Sequence, residues 1–367
     1  MTSRKKIAIV TPHHWTGSYG GAEYQISLLI GELAKTHPDL ELHYLCKPSP
    51  DHIQPQDHTI HEVTAQRWFS KYGTFFDAFG LYKALKTLQP DYIYQRVGCA
   101  YTGVCAWYCK HSSASMLWHI ASDADVGVST QRLFSRRPHH YIEQKVFEYG
   151  IRHANKIVAQ QQHQADQLEK NFSRSVDAVI ANFQPVPELL ATQNERRLVL
   201  WIGNLKELKQ PDLFIDLAEQ IGPIAGVSFC MAGRPQTGKW GDRLLARLNS
   251  CDAVEYLGEI SQQEVYTLLE QTRLLVNTSQ YEGFPNTFIQ AWMRETPVLS
   301  LQVNPDGILD RHPIGIMSGN FEHLVRDCRE LLENREKHDI MAKSARTYAI
   351  ENHSLLNVEK LLQVLTG

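Results

Sequence analysis

Short β-branched runs alternate with amphipathic helical stretches along this chain, twice over, and that rhythm limits its fold more than any other feature. Lys6–Val10 (Lys-Ile-Ala-Ile-Val) reads as a strand buried on both faces. A loop rich in glycine and aromatics follows over residues 11–21. Residues 22–35 then read as a helix with Ile26, Leu29, Ile30 and Leu33 on one face. Further strands are expected at residues 40–45, 91–95, 115–120, 156–159 and 178–181, and helices at 77–88, 141–153 and 162–171. The rhythm stops at residues 182–195, where Phe183-Gln184-Pro185-Val186-Pro187 and a polar stretch read as a linker. It resumes with strands at 198–202, 227–231, 254–257, 273–277 and 297–301, and helices at 211–220, 240–248, 262–271 and 286–294. The tail from 322 to 365 reads as almost wholly helical. Alternation of this kind builds a parallel sheet covered on both faces. The expectation is α/β: two Rossmann-like, doubly wound parallel-sheet domains, residues 1–190 and 191–349, with a helix at about 350–367 packing back on the first. Ligands sit at the carboxyl ends of strands in such sheets, so chemistry is expected in a central cleft between the domains.

Composition narrows the function classes. A chain of 367 residues has room for two domains at roughly 150 residues each. With 37 Lys and Arg against 40 Asp and Glu, the formal charge of −3 argues against a nucleic-acid binder held mainly by phosphate charge. The seven cysteines (46, 99, 105, 109, 230, 251 and 328) are odd in number and scattered, so they read as free thiols. Cys105 and Cys109 lie beside His111. A buried helical face, Val104-Cys105-Ala106-Trp107, explains them better than a metal site, which needs four ligands. No apolar stretch reaches the roughly 20 residues of a membrane span. The start, Met1 to Pro12, lacks the apolar core and cleavage site of a signal peptide. A cytoplasmic location is expected, at most peripheral on the inner face of the membrane.

Three segments carry candidate chemistry. In the segment from Val276 to Ala291, a buried strand ends in a tight loop with Glu282, Gly283, Phe284 and Pro285, and a helix starts near Asn286. Free amides at a helix start attract anions, and a carboxylate at that lip suits sugar hydroxyls. The plainer alternative makes Asn286 or Thr287 a cap and Glu282 a solvated loop charge. In the second segment, Gly203 and Asn204 follow the strand 198–202, and Lys209 stands just before a Pro-initiated helix. There Gly203 permits close backbone approach, and Lys209 is either a cation for the cleft or a surface lysine. The third is Thr16-Gly17-Ser18-Tyr19-Gly20-Gly21-Ala22-Glu23, a glycine turn that is neither a dinucleotide fingerprint nor a P-loop.

Together these segments resemble the retaining GT-B glycosyltransferases of glycosyltransferase family 4 (glycosyl transferases group 1), over nearly the whole chain. Gly20-Gly21-Ala22-Glu23 resembles the family's N-terminal glycine loop, and residues 199–211 its diphosphate segment. Glu282-Gly-Phe-Pro-Asn-Thr287 resembles the start of its Glu-x7-Glu motif, and Asn304-Pro305-Asp306-Gly307 a loop that often follows. The resemblance implies transfer of a hexose-type sugar from a UDP- or GDP-linked donor to a glycan or lipid-linked acceptor, in surface polysaccharide synthesis. It implies no metal and no cofactor beyond the nucleotide-sugar substrate. Glu282 would hold donor-sugar hydroxyls. The backbone around Gly283, Phe284, Pro285, Asn286 and Thr287 would line the donor site. Lys209, with Asn204, would neutralise the departing diphosphate, and His119 matches a family histidine close to the sugar. Three departures stand out: Gln290 replaces the second motif Glu, Asn204 replaces an arginine, and Glu295 replaces a small glycine. A nucleotide-sugar 2-epimerase of related fold and a non-catalytic nucleotide-sugar-binding relative remain alternatives. Asp123-Ala124-Asp125 has the form of a metal-holding Asp-x-Asp triplet, although a structural or acceptor-side role suits the two-domain plan better. Arg132, Arg136, Arg137, His139 and His140 form a basic patch that suits anionic headgroups or a pyrophosphate-linked acceptor, or else a solvated loop.

Overall fold

The computed structural model describes residues 4–16, 20–48, 55–63, 74–127, 138–189 and 195–367. The chain divides into two units, Met1–Phe183 with Leu355–Gly367, and Gln184–Ser354. The first contains a parallel sheet of β1 (Lys6–Val10), β2 (Glu41–Cys46), β3 (Thr59–Glu62), β4 (Tyr92–Arg96), β5 (Ser115–His119), β6 (Lys156–Ala159) and β7 (Ala178–Val179). Their spatial order is β3-β2-β1-β4-β5-β6-β7. The helices of this unit are α1 (Gly21–Thr36), α2 (Ala78–Leu88), α3 (Ala100–Lys110), the single turn α4 (Asp123–Val126), α5 (Pro138–His153) and α6 (Gln162–Phe172).

Strand β1 shows why this sheet is covered on both sides. Its Ile7 and Ile9 enter one core with Ile26, Leu29, Ile30 and Leu33 of α1. Its Ala8 and Val10 enter another with Leu81 and Leu85 of α2, Tyr101 and Cys105 of α3, and Phe147 and Ile151 of α5. Side chains alternate along a strand, so an unbroken apolar run feeds two cores at once.

The second unit repeats the plan with β8 (Leu198–Ile202), β9 (Ser228–Ala232), β10 (Glu255–Tyr256), β11 (Thr272–Asn277), β12 (Val298–Ser300) and β13 (Gly315–Met317), in the order β10-β9-β8-β11-β12-β13. Its helices are α7 (Pro211–Ile221), α8 (Lys239–Asn249), α9 (Gln262–Gln271), α10 (Asn286–Trp292), α11 (Ile308–Arg311), α12 (Phe321–Glu333) and α13 (Arg335–His353). Val199 and Trp201 of β8 face one core and Leu200 the other. The last helix, α14 (Leu356–Thr366), returns to the first unit, where Val358, Leu361 and Leu365 join the core of Ile7, Ile9 and Ile26. No helix among the described residues is long and apolar enough to cross a membrane.

Local details correct several expectations. The edge strands β3 and β13 were not anticipated, and α10 ends at Trp292 rather than Arg294. Val104, Cys105 and Ala106 of α3 are buried as expected, but Trp107 is half exposed. All seven cysteines are free, and burial pushes the Cys46, Cys99, Cys109 and Cys328 thiols up to about 12. Cys105 and Cys109 belong to the core under α3, whereas the exposed His111 ring bonds the Trp107 carbonyl at 2.8 Å.

Candidate functional site

In the second unit, the site begins where β8 runs out. The Gly203 amide donates to the Ala232 carbonyl at 3.1 Å. Gly233 follows at φ +146, and a Cβ there would lie 1.8 Å from the Gly203 oxygen, so only glycine fits. Leu205, buried, exchanges backbone bonds with Arg234 and Gln236 and holds the next residues down. A single 3-10 turn, Glu207–Lys209, then ends at Gln210 in the left-handed region (φ +45), and Pro211 opens α7. This turn lays the Lys209 side chain over Gly203, where a Cβ would come within 3.3 Å of its Cδ.

The second half of the site comes from the end of β11. Thr278 is fully buried; its hydroxyl accepts from the Trp201 indole at 2.9 Å and faces the Lys209 and Gln210 carbonyls at 2.8 and 2.9 Å. The Gln280 amide donates to the Leu208 carbonyl at 3.0 Å. These bonds clamp the Lys209 turn against the loop that carries Glu282.

At the centre, three donors converge on one carboxylate oxygen. Glu282 Oε1 accepts from Lys209 Nζ at 2.8 Å, Ser279 Oγ at 2.6 Å and Asn277 Nδ2 at 3.0 Å. No hydrogen bond to Oε2 is formed among the described residues. Burial raises the carboxyl pKa, but the Lys209 charge and the three hydrogen bonds outweigh it and hold Glu282 below its ordinary value. The Lys209 and Glu282 side chains remain 24% and 20% exposed, so both can be reached from solvent. An ammonium and an oriented carboxylate, side by side and accessible, can meet a phosphate and a hydroxyl at once.

The remaining motif residues surround this pair in different ways. Pro285 caps α10, which spans seven residues. The Phe284 ring is anchored on His353 and Trp292, with centroids 4.8 and 6.2 Å apart. Gly283, Asn286, Thr287 and Asn204 are half buried, and Gln290 is buried on the inner side of α10. Glu295, at the position where a glycine was expected, adopts φ +54, the conformation that favours glycine. Buried Arg196 donates to the carbonyls of Arg294 and Glu295, and its charge attracts the Glu295 carboxylate. In the turn 304–307, Asn304 bonds the Leu309 amide and Asp310, with Asp306 and Gly307 at φ +47 and +68.

Other candidates lie in the first unit. Gly20 caps α1 and Gly21 opens it; Gly17, Ser18 and Tyr19 lie outside the described residues. Glu23 is buried, which raises its carboxyl pKa against the pull of Arg96. His119, at the end of β5, is wholly buried, with Nδ1 2.6 Å from the Tyr94 hydroxyl and 3.3 Å from Arg96 Nη1. Arg96 also donates to Asn182 Oδ1 at 2.6 Å. Asp125 Oδ2 accepts from the Ala121 and Ser122 amides at 2.9 and 3.1 Å, and Asp123 Oδ1 from Gln161 and Gln164 at 3.0 and 2.9 Å. Asp125 thus caps the turn α4 and Asp123 ties that turn to the start of α6, and no cluster of metal-ligating side chains occurs among the described residues. Arg132, Arg136 and Arg137 lie outside the described residues, while His139 and His140 sit edge to face in the first turn of α5, 4.4 Å apart.

Within the second unit, then, Gly203, Lys209 and Glu282 come together; His119, Gly20 and Gly21 belong to the first. Sequence reasoning missed Asn277, Thr278 and Ser279, three polar side chains in a row where β11 ends. It also missed Arg96.

Residues 186–348 match the family Glycosyl transferases group 1. The D-inositol 3-phosphate glycosyltransferase of Mycobacterium bovis (strain BCG / Pasteur 1173P2) is 26% identical over 173 residues, covering 43% of this chain and 35% of that protein. The chain thus spans only about a third of the length of the curated relatives it matches. Among solved structures, Anabaena HepE in complex with UDP and glucose aligns with a TM-score of 0.75 at 17% identity, over 98% of each chain. WaaG, a glycosyltransferase involved in lipopolysaccharide biosynthesis, aligns with a TM-score of 0.75 at 14% identity, over 98% of this chain and 100% of its own. The two parallel-sheet units have the GT-B fold of these glycosyltransferases, and the stretch that holds Lys209 and Glu282 is the one that matches Glycosyl transferases group 1.

Proposed function

We propose that this chain is a nucleotide-sugar-dependent glycosyltransferase that moves a hexose-type sugar, with retention of configuration, to a glycan or lipid-linked acceptor in surface polysaccharide synthesis. The observation that carries this reading is the clamped Lys209–Glu282 pair, 2.8 Å apart and open to solvent. Breaking a glycosyl–phosphate bond builds negative charge on the diphosphate. An ammonium already held in place stabilises that charge with little reorganisation and without a metal. Glu282, with Oε1 fixed by three donors, presents Oε2 to the donor-sugar hydroxyls. The leaving phosphate oxygen takes the acceptor's proton, so no protein base is assigned. Gln290 offers an amide where a second carboxylate was expected, and a neutral acceptor holds a diol less tightly than a charged one. The family match over 186–348 supports the transferase reading, and the UDP held by HepE supports a UDP-linked donor.

The test is turnover of a nucleotide-sugar panel, followed by nucleotide release, after a thermal-shift screen against UDP, GDP and ADP. Lys209→Ala and Glu282→Ala are each expected to lower turnover by about a hundredfold or more. Wild-type rates in both would dismiss the assignment. Donor returned as its epimer with no acceptor present would replace transfer by epimerisation.

A further inference from the structure

Two buried side chains where β11 ends turn to Glu282 rather than to the core. Ser279 Oγ and Asn277 Nδ2 donate to its Oε1 at 2.6 and 3.0 Å, yet these residues are only 1% and 9% exposed. They therefore act on the carboxylate from behind, away from solvent. The Asn277 amide has one orientation. Its Oδ1 accepts from the Ser279 backbone amide at 3.1 Å, which leaves Nδ2 to donate. That nitrogen also lies 3.4 Å from Ser279 Oγ, so the hydroxyl proton of Ser279 is directed to Oε1. The base of the device is anchored in the sheet. The Asn277 carbonyl accepts from the Leu301 amide at 2.8 Å, and Asn277 pairs with Ser300 of β12. Thr278, between the two, turns instead to Trp201 and the Lys209 turn.

The third donor differs in kind. Burial raises the Glu282 pKa; of the groups that lower it, Lys209 is charged and flexible, whereas Ser279 and Asn277 are neutral. On the donor-site reading above, the departing diphosphate attracts the Lys209 ammonium. One cation then faces a phosphate as well as a carboxylate, and its hold on Glu282 weakens. A bound sugar also covers the carboxylate from water. Both changes favour the protonated form, and hydrogen bonds to the ionised form oppose them. Donors held in the protein interior are not drawn off by the phosphate, so Ser279 and Asn277 keep their bonds when Lys209 leaves.

We propose that Ser279 and Asn277 are positioning residues, which keep the Glu282 carboxylate in place and its Oε2 aimed at the donor sugar while Lys209 turns to the diphosphate. The proposal rests on the donor-site reading, and its test separates the two.

Ser279→Ala removes one hydroxyl and no backbone bond. It is expected to lower kcat for the nucleotide sugar about tenfold or more. Affinity for UDP alone, which carries no sugar for Glu282 to hold, should stay within about twofold of wild type. In a Glu282→Gln background the same substitution should change kcat by less than about twofold, since its effect runs through the carboxylate. Asn277→Ala, which also frees the Ser279 amide, should lower kcat further. Carbon-13 NMR of the Glu282 carboxyl needs no turnover. Its titration midpoint should move up in Ser279→Ala, and further up when UDP is added. A merely structural role would predict otherwise, because the Gln280 amide ties the same loop to the Lys209 turn. UDP affinity falling as much as kcat, or an equal loss of kcat in the Glu282→Gln background, would therefore overturn the proposal. So would a wild-type kcat or an unmoved midpoint in Ser279→Ala. If that variant keeps its rate while Lys209→Ala and Glu282→Ala lose theirs, the donor-site reading stands and the positioning role falls alone. Wild-type rates in all three remove both.

Discussion

At His119 a guanidinium that can only donate decides the protonation state. Arg96 Nη1 lies 3.3 Å from Nδ1, so Nδ1 must accept and the ring proton sits on Nε2. Burial, then the Arg96 charge, lower the imidazole pKa well below 6.5, against a smaller pull from the Ile180 backbone. With the folded value below the unfolded one, neutral His119 contributes stability above the ordinary value of 6.5 and loses it as the pH falls below that. The expected result is a His119 NMR signature that stays neutral through the ordinary histidine titration near 6.5, with unfolding free energy declining on acidification below that pH. A ring that titrates near its ordinary value would contradict this account. Lys209 and Glu282 were legible in the sequence because each follows a strand in a glycine-marked loop. Their contact, between residues 73 apart in sequence, was not legible. It depends on the Thr278 hydroxyl reaching the Lys209 turn, and a lone threonine gives no sign of where its hydroxyl will point.

Among the elements, the central strands were readable and the edges were not. β1 and β8 are continuous apolar runs because both their faces are covered. β3, Thr-Ile-His-Glu, lies at a sheet edge with no residue fully buried, so it leaves no hydrophobic pattern to find. β13 is a three-residue edge strand, too short for any periodicity. The close contact between the ends of β8 and β9 was equally hidden, since Gly233 differs from any loop glycine only in what it faces. Gly233→Ala would place a Cβ 1.8 Å from the Gly203 oxygen at φ +146. It should cost about 2 kcal/mol or more in urea unfolding and disorder the Lys209 turn. An unchanged midpoint would mean that the two backbones do not touch in solution.

For the whole molecule, the doubly wound α/β plan was written in the strand–helix rhythm, a property of local sequence that needs no knowledge of contacts. The pairing of α14 with α1, β4 and β5 is a contact between segments far apart in the chain, and local sequence does not name the residues that make it. Removing residues 355–367 strips Val358, Leu361 and Leu365 from the core around Ile7 and Ile26. Hydrogen exchange should then accelerate across the first unit while the second keeps its protection. Uniform exchange in both units would show that α14 is dispensable to that core. The same return of the chain has a consequence for biosynthesis. On the ribosome, the first unit emerges early yet lacks its closing helix until residues 355–367 are made, so the later-made unit holds a complete set of its own residues before the earlier one does.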